Sequence, residues 1–336
     1  MSDLPPCDES PGSLTDLQGR LINYLRLSVT DRCNLRCRYC MPAEGVPWIP
    51  HEDILRFEEL ERIARQAVAL GLCKIRVTGG EPLVRRGVIG FLERLVAIPG
   101  MRSLVLTTNG VLLAQMAEEL RRAGVERLNV SLDSLRPVTF AQITRGGDLQ
   151  EVLDGVAAAE IAGFPPVKIN TVVMRGINED EVSDFAELTL RQAYTVRFIE
   201  YMPTMERADW HSTWVSGAEI LRKLEQRYRL EELTSADPHG PARYLRIAGA
   251  AGKIGIITPV SNHFCDCCNR LRVTASGLAK ACLFARGGVD LKPYLRQGDE
   301  ALRGALRQIA THKPAWHNLF TPQTQHAPFS MAAIGG

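Results

Sequence analysis

The chain has 336 residues, 45% of them hydrophobic and 23% charged, and a formal net charge of +2. That length suits one large α/β domain plus a smaller module. The near-zero charge argues against a nucleic-acid binder, so any anion site must come from local clustering of Lys and Arg. No stretch approaches the ~20 apolar residues of a membrane span. The start carries Asp3, Asp8, Glu9 and Asp16 among prolines, unlike a signal or transit segment, so the cytoplasm is the expected compartment.

Residues 1–18 read as a flexible tail. Short β-rich runs then alternate with longer amphipathic ones. The β runs are 24–29, 74–78, 104–107, 127–131, 167–173 and 196–200; helical patterns between them include 57–70, 111–122, 149–161 and 179–190. In the first of these, Leu60, Ile63, Ala64, Ala67 and Val68 recur near the helical period. Six β–α repeats predict an α/β fold, a partial (β/α)6 TIM-type barrel over residues 19–234. A smaller module over residues 235–336 is expected to pack against the barrel mouth. It follows a helix at 217–228 and holds β-like runs at 243–247 and 253–257.

Polar or Gly-rich punctuation falls after nearly every strand: Thr30-Asp31-Arg32-Cys33, Thr78-Gly79-Gly80-Glu81-Pro82, Thr107-Thr108-Asn109-Gly110 and Ser131-Leu132-Asp133. Parallel α/β folds place their sites at that end of the strands.

Nine cysteines in a reducing compartment point away from a disulfide framework, and six fall into two tight groups. Cys33, Cys37 and Cys40 form a CxxxCxxC in the loop after the first strand. Three thiolates can hold three irons of a 4Fe–4S cube and leave the fourth iron open, whereas an electron-transfer cluster takes four cysteines. A zinc site completed by His51 and a thioredoxin-like dithiol at Cys37 and Cys40 are the alternatives. Cys265, Cys268 and Cys282 form the second group; a second three-cysteine cluster competes there with a zinc site completed by Cys267 or His263.

The CxxxCxxC, with Tyr39 before its last cysteine, resembles the signature of the radical S-adenosylmethionine superfamily, and Gly79-Gly80-Glu81-Pro82 resembles its GGEP loop. With the second group added, the chain resembles the GTP 3′,8-cyclase family of molybdenum cofactor biosynthesis over residues 19–336. The likeness runs through Leu25–Cys33, Lys74–Pro82, Leu106–Gly110, Asn129–Asp133, Arg197–Glu200, Phe264–Arg272 and the Gly-Gly end. Cys267 departs from the family pattern and is expected to be a bystander.

The resemblance implies two 4Fe–4S clusters and S-adenosylmethionine as cofactors. It implies a 5′-deoxyadenosyl radical that takes the 3′ hydrogen of GTP before carbon 3′ closes onto carbon 8 of guanine. Cys33, Cys37 and Cys40 would bind the first cluster. Cys265, Cys268 and Cys282 would bind the second, whose open iron holds the purine. Tyr39, Gly80, Ser131 and Met202 would contact S-adenosylmethionine. Arg26, Arg76, Thr107, Lys168, Arg270 and Arg272 would contact GTP. A reducing protein such as a flavodoxin or ferredoxin and a homodimer are implied partners, with no nucleic acid and no membrane. Gly335 and Gly336 would thread into the site, as in the family.

The residues agree independently with an anionic ligand. Alternate strand positions share a face, so Lys74 and Arg76 lie opposite Ile75 and Val77, and Lys168 sits beside Val167 and Ile169. Buried cations on parallel strands are costly without an anionic partner. Arg forks well onto phosphate oxygens.

Overall fold

The computed structural model describes residues 13–203, 210–234, 239–285, 287–317 and 331–334. Six parallel strands run side by side in chain order: β1 (Tyr24–Ser28), β2 (Lys74–Thr78), β3 (Ser103–Thr108), β4 (Arg127–Ser131), β5 (Lys168–Val173) and β6 (Thr195–Glu200). Helices α1 (Phe57–Ala69), α2 (Val88–Val96), α3 (Leu113–Arg122), α4 (Pro137–Thr144), α5 (Leu149–Ile161) and α6 (Val182–Arg191) make the crossovers. After β6 come α7 (Trp210–Thr213) and α8 (Gly217–Glu225), the latter started by a Ser216/Glu219 capping box.

Strand alternation divides the sheet into two chemically different faces. Leu25, Leu27, Ile75, Val77, Leu104, Leu106, Val130, Ile169, Val196 and Phe198 point to one face and are buried in the main core. Each such side chain contributes roughly 1.5–3 kcal/mol of transfer free energy. The residues between them, Arg26, Arg76, Thr107, Ser131, Asn170 and Arg197, turn to the other face. The inside of the half-barrel is therefore polar and strongly basic.

The C-terminal strands join this same sheet at both of its edges. β7 (Leu230–Leu233), β8 (Ala242–Ile247) and β9 (Lys253–Ile257) extend it beyond β6, with β9 parallel to β6. β10 (Arg270–Val273), β11 (Leu278–Lys280) and β12 (Val289–Asp290) extend it beyond β1, with β10 parallel to β1. Beyond Cys282 no element is named from the sequence. The structure instead shows α9 (Lys292–Gln297) and α10 (Asp299–Thr311), the second packed on α1. Its buried Leu302, Ala305, Leu306, Ile309 and Ala310 follow the helical period. The last residues assigned to a tail are also built in: Leu14 and Asp16 are buried, and Ile22 N–H donates to Leu14 O at 2.7 Å.

The second cysteine group lies somewhere other than expected. Tyr24 pairs with Arg270 in parallel register, so Cys265 and Cys268 lie near the start of β1, not at its C-terminal end. β11 runs back along β10, with Arg272 opposite Lys280, and carries Cys282 to the same level. The expectation of a module at the barrel mouth is thus corrected. The first group sits at the C-terminal ends of the strands and the second at the N-terminal ends.

Candidate active site

One cavity of about 330 Å³ runs through the half-barrel and is lined by both cysteine groups. At its upper end, the loop carrying Cys33, Cys37 and Cys40 is fastened to the end of α4. Arg36 and Arg38 N–H groups donate to Thr144 O (3.1 Å) and Ile143 O (2.9 Å). Arg145 donates back to Arg36 O (2.9 Å) and Met41 O (2.8 Å).

Gly80 packs on the start of the same loop. A Cβ there would come within 2.7 Å of Arg32 C and 2.8 Å of Asp31 O, so only glycine permits the approach. Next to it, the buried Glu81 carboxylate accepts from Leu83 N (3.0 Å), Thr108 Oγ1 (2.9 Å) and Asn109 N (2.7 Å). Asn109 Nδ2 in turn lies 3.8 Å from Cys33 Sγ. Tyr39 donates its hydroxyl to Asp133 Oδ2 at 2.8 Å, tying the aromatic residue of the motif to the loop after β4.

Burial raises the titrating groups of this end. Glu81 is pushed up to about 7 and Asp133 to about 6. Cys33 is pushed up to about 11 by burial, with Glu81 adding to it, and Cys37 goes well above its ordinary value. Metal binding takes these thiols as thiolates and releases their protons.

At the lower end, a short 3-10 turn, Cys265–Cys267, brings Cys268 N–H onto Cys265 O at 3.1 Å. Cys265, Cys268 and Cys282 line the cavity; Cys267 does not, and its sulfur turns to Phe264 O at 3.5 Å. Burial raises Cys268, but Arg270, Lys313 and Arg272 outweigh it and leave the thiol lowered to about 7.

Between the two ends lies a row of guanidinium groups. Arg272, Arg26 and Arg76 are in register across three adjacent strands. Arg197 reaches in from β6, opposite Gly255; a Cβ on Gly255 would stand 2.9 Å from Arg197 Cγ. Among the described residues, no carboxylate pairs with Arg76, Arg197 or Arg270. Arg76 Nε, Arg197 Nε and Tyr24 Oη are buried without a hydrogen-bond partner. Burial lowers Arg197 to about 10 and Arg272 to about 10, with Arg76 and Arg270 respectively adding like-charge repulsion. Such unmet buried donors call for an anion.

The structure thus gathers Arg26, Arg76, Thr107, Arg270 and Arg272 with Tyr39, Gly80, Ser131 and Met202 around one cavity. Lys168 stands outside its wall, at the start of β5. Sequence reasoning named Arg197 only within the family stretch Arg197–Glu200 and gave it no ligand role, although it sits between Val196 and Phe198 as Arg76 sits between Ile75 and Val77. It also missed Lys313, for which no local pattern signals a role. Met331 lines the cavity and Ile334 is buried, while Gly335 and Gly336 lie outside the described residues.

The donors fit clusters better than single ions. His51, the fourth ligand that zinc requires on the first group, is exposed and off the cavity wall. Among the described residues, no three His, Cys, Asp or Glu are grouped to hold one metal ion. A cube spreads its thiolates over separate irons and needs no such convergence.

Comparison with known proteins defines the class first. The Radical SAM superfamily is matched over residues 27–189, and the family described as Molybdenum Cofactor Synthesis C over residues 194–319. Streptococcus suis SuiB bound to S-adenosylmethionine shares the fold, with a TM-score of 0.58 at 15% identity over 86% of this chain and 69% of that one. The GTP 3′,8-cyclase of Geobacter sulfurreducens is 59% identical over 324 residues, which is 96% of this chain and 99% of that protein. That of Peptoclostridium acidaminophilum is 46% identical over 96% of this chain and 98% of its own length. The chain belongs to the GTP 3′,8-cyclase family of radical SAM enzymes.

Proposed function

We propose that this chain cyclises GTP to (8S)-3′,8-cyclo-7,8-dihydroguanosine 5′-triphosphate, an early step of molybdenum cofactor biosynthesis. The observation that carries this reading is one cavity with three cysteines at each end and, between them, Arg76 and Arg197, whose buried Nε atoms have no hydrogen-bond partner. Cys33, Cys37 and Cys40 would hold one 4Fe–4S cluster, and Cys265, Cys268 and Cys282 the other. Bound cluster and S-adenosylmethionine supply the one-electron chemistry that removes the 3′ hydrogen of GTP.

The chain's own residues do the rest. Tyr39, Gly80, Ser131 and Met202 line the upper part and position S-adenosylmethionine. Arg26, Arg76, Thr107, Arg270 and Arg272, with Arg197 added, bind GTP below. Lys168 acts on the polyphosphate from the layer beneath. The apolar outer core and the fastened loops keep these groups fixed, so their hydrogen bonds are already oriented before the ligands bind.

A flavodoxin or ferredoxin as reductant, a homodimer and a cytoplasmic setting belong to the same reading. Among the described residues, no helix is long and apolar enough to cross a membrane. The test is an anaerobic incubation of the iron-loaded chain with S-adenosylmethionine, a reductant and GTP carrying deuterium at carbon 3′. Deuterium should appear in 5′-deoxyadenosine. Cleavage of S-adenosylmethionine without that transfer would overturn the assignment.

A further inference from the structure

Lys313 is buried, yet among the described residues no carboxylate pairs with it. Its ammonium donates instead to two backbone carbonyls. One is Arg270 O at 2.8 Å, two residues after Cys268, and the other is Ala281 O, next to Cys282. Lys313, Cys268 and Cys282 line the same cavity. One side chain therefore bridges the two segments that present the second cysteine group and adds a positive charge beside their sulfurs.

Lys313 is in turn held from behind. Arg20 is buried and anchored on the fully enclosed carboxylate of Asp16, Nε to Oδ2, at 2.5 Å. Its remaining N–H groups donate to Lys313 O (3.2 Å), Pro314 O (2.8 Å), Ala315 O (3.2 Å) and Gln18 Oε1 (3.0 Å). Nη1 also donates to Cys265 O at 2.7 Å, so these four N–H groups are shared among five acceptors. The planar guanidinium thus fixes the backbone of Cys265 and of Lys313 together. Segments far apart in sequence converge here on all three cysteines.

We propose that Lys313, placed by Arg20, is a positioning residue of the second cluster, bridging the backbone beside Cys268 and Cys282 and setting the charge at their thiolates. Groups beside a cluster tune its reduction potential through hydrogen bonds and net charge. A purely structural clamp would need only N–H donors. An ammonium, whose burial is costly, gains from thiolate partners what backbone carbonyls alone do not give. This inference rests on the second cluster proposed above.

The test uses the full chain, loaded with iron anaerobically, and the variant K313Q, which keeps N–H donors and removes the charge. Electron paramagnetic resonance at controlled potential reads each cluster. The second cluster of K313Q should be harder to reduce by about tenfold in its one-electron equilibrium, ~59 mV more negative. The first cluster should be unchanged. An unchanged second-cluster potential overturns the inference. If K313Q does not retain the second cluster, K313R decides: recovery of its iron by K313R supports the role of charge, and equal failure of both overturns it. Wild-type chain that loads only one cluster's iron would instead overturn the two-cluster reading itself.

Discussion

Cys33 and Cys268 belong to loops of the same three-cysteine type, at opposite ends of one cavity, yet their surroundings push them in opposite directions. Cys33 shares its end with the buried carboxylates Glu81 and Asp133 and is pushed up to about 11, chiefly by burial. Cys268 is equally enclosed, but Arg270, Lys313 and Arg272 bring it down to about 7. The cavity therefore runs from an acid-flanked upper end to a cationic lower end. In the proposed reading this gradient orients the contents. A sulfonium cofactor suits the carboxylate end, and a polyphosphate suits the layer of guanidinium groups. The two ends also differ in how they are fastened: the upper loop to α4 through Arg145, the lower through Arg20 and Lys313.

If the two ends are independent, their cysteines should fail separately, and this is the largest expected effect. Cys37→Ser should remove one cluster's worth of iron and leave the other, and Cys268→Ser should do the reverse. Cys267→Ser should leave both, because its sulfur is off the cavity wall. Iron and sulfide analysis of anaerobic preparations reads all three. Joint loss of both clusters from either single substitution would break the comparison.

The guanidinium layer between the ends gives the next effect. Arg197 is fully enclosed and donates to Asn129 Oδ1 at 2.9 Å while its Nε stays unpartnered. A charged hydrogen bond contributes roughly 1.5–3 kcal/mol, so Arg197→Ala should weaken GTP binding about 10–100-fold. S-adenosylmethionine, which the proposed reading puts at the other end, should bind within about twofold of wild type, since distant sites are nearly independent. Equilibrium dialysis with each ligand checks this. An equal loss for both ligands would show that the two ends are not chemically distinct.

Much of this was readable from the residues. The six core strands stand out because their outer face is Leu, Ile, Val and Phe at alternate positions, and the same alternation exposes Arg26 and Arg76 as inward cations. Applied to β6 it identifies Arg197 as well. The position of the second cysteine group was not readable. It depends on β10 adding in parallel beside β1, which joins Tyr24 to Arg270, and no local pattern encodes a pairing of such sequence separation. Lys313 escaped for the same reason: its partners, Arg270 O and Ala281 O, are backbone atoms brought close only by the fold. The helix α10 was readable from its apolar spacing; a polar overall composition masked it.

Lys168 gives the smallest effect and the sharpest check on the gradient. It starts β5, below the cavity wall, where burial and the fields of Arg197, Arg127, Lys74 and Arg76 lower it to about 6. An unfolded lysine titrates near ~10.4. Between those values the folded ligand-free chain binds fewer protons than the unfolded one, so stability rises with pH. The penalty for burying this charge is fully present below about pH 6 and falls away as pH climbs toward ~10.4. A polyphosphate held by Arg76 and Arg197 would reverse the balance, because an anion restores the charged form. At pH 8, GTP binding should therefore take up a fraction of a proton, approaching about one if Lys168 becomes fully charged. Below pH 6 the lysine is already charged, and its share of the uptake should vanish. Calorimetry in buffers of different ionisation enthalpy measures the uptake as a slope. Lys168→Met should flatten that slope at pH 8 while leaving the response to S-adenosylmethionine alone. The same slope in wild type and variant would mean that Lys168 does not sense the phosphates, and would place the polyanion higher in the cavity, away from the start of β5.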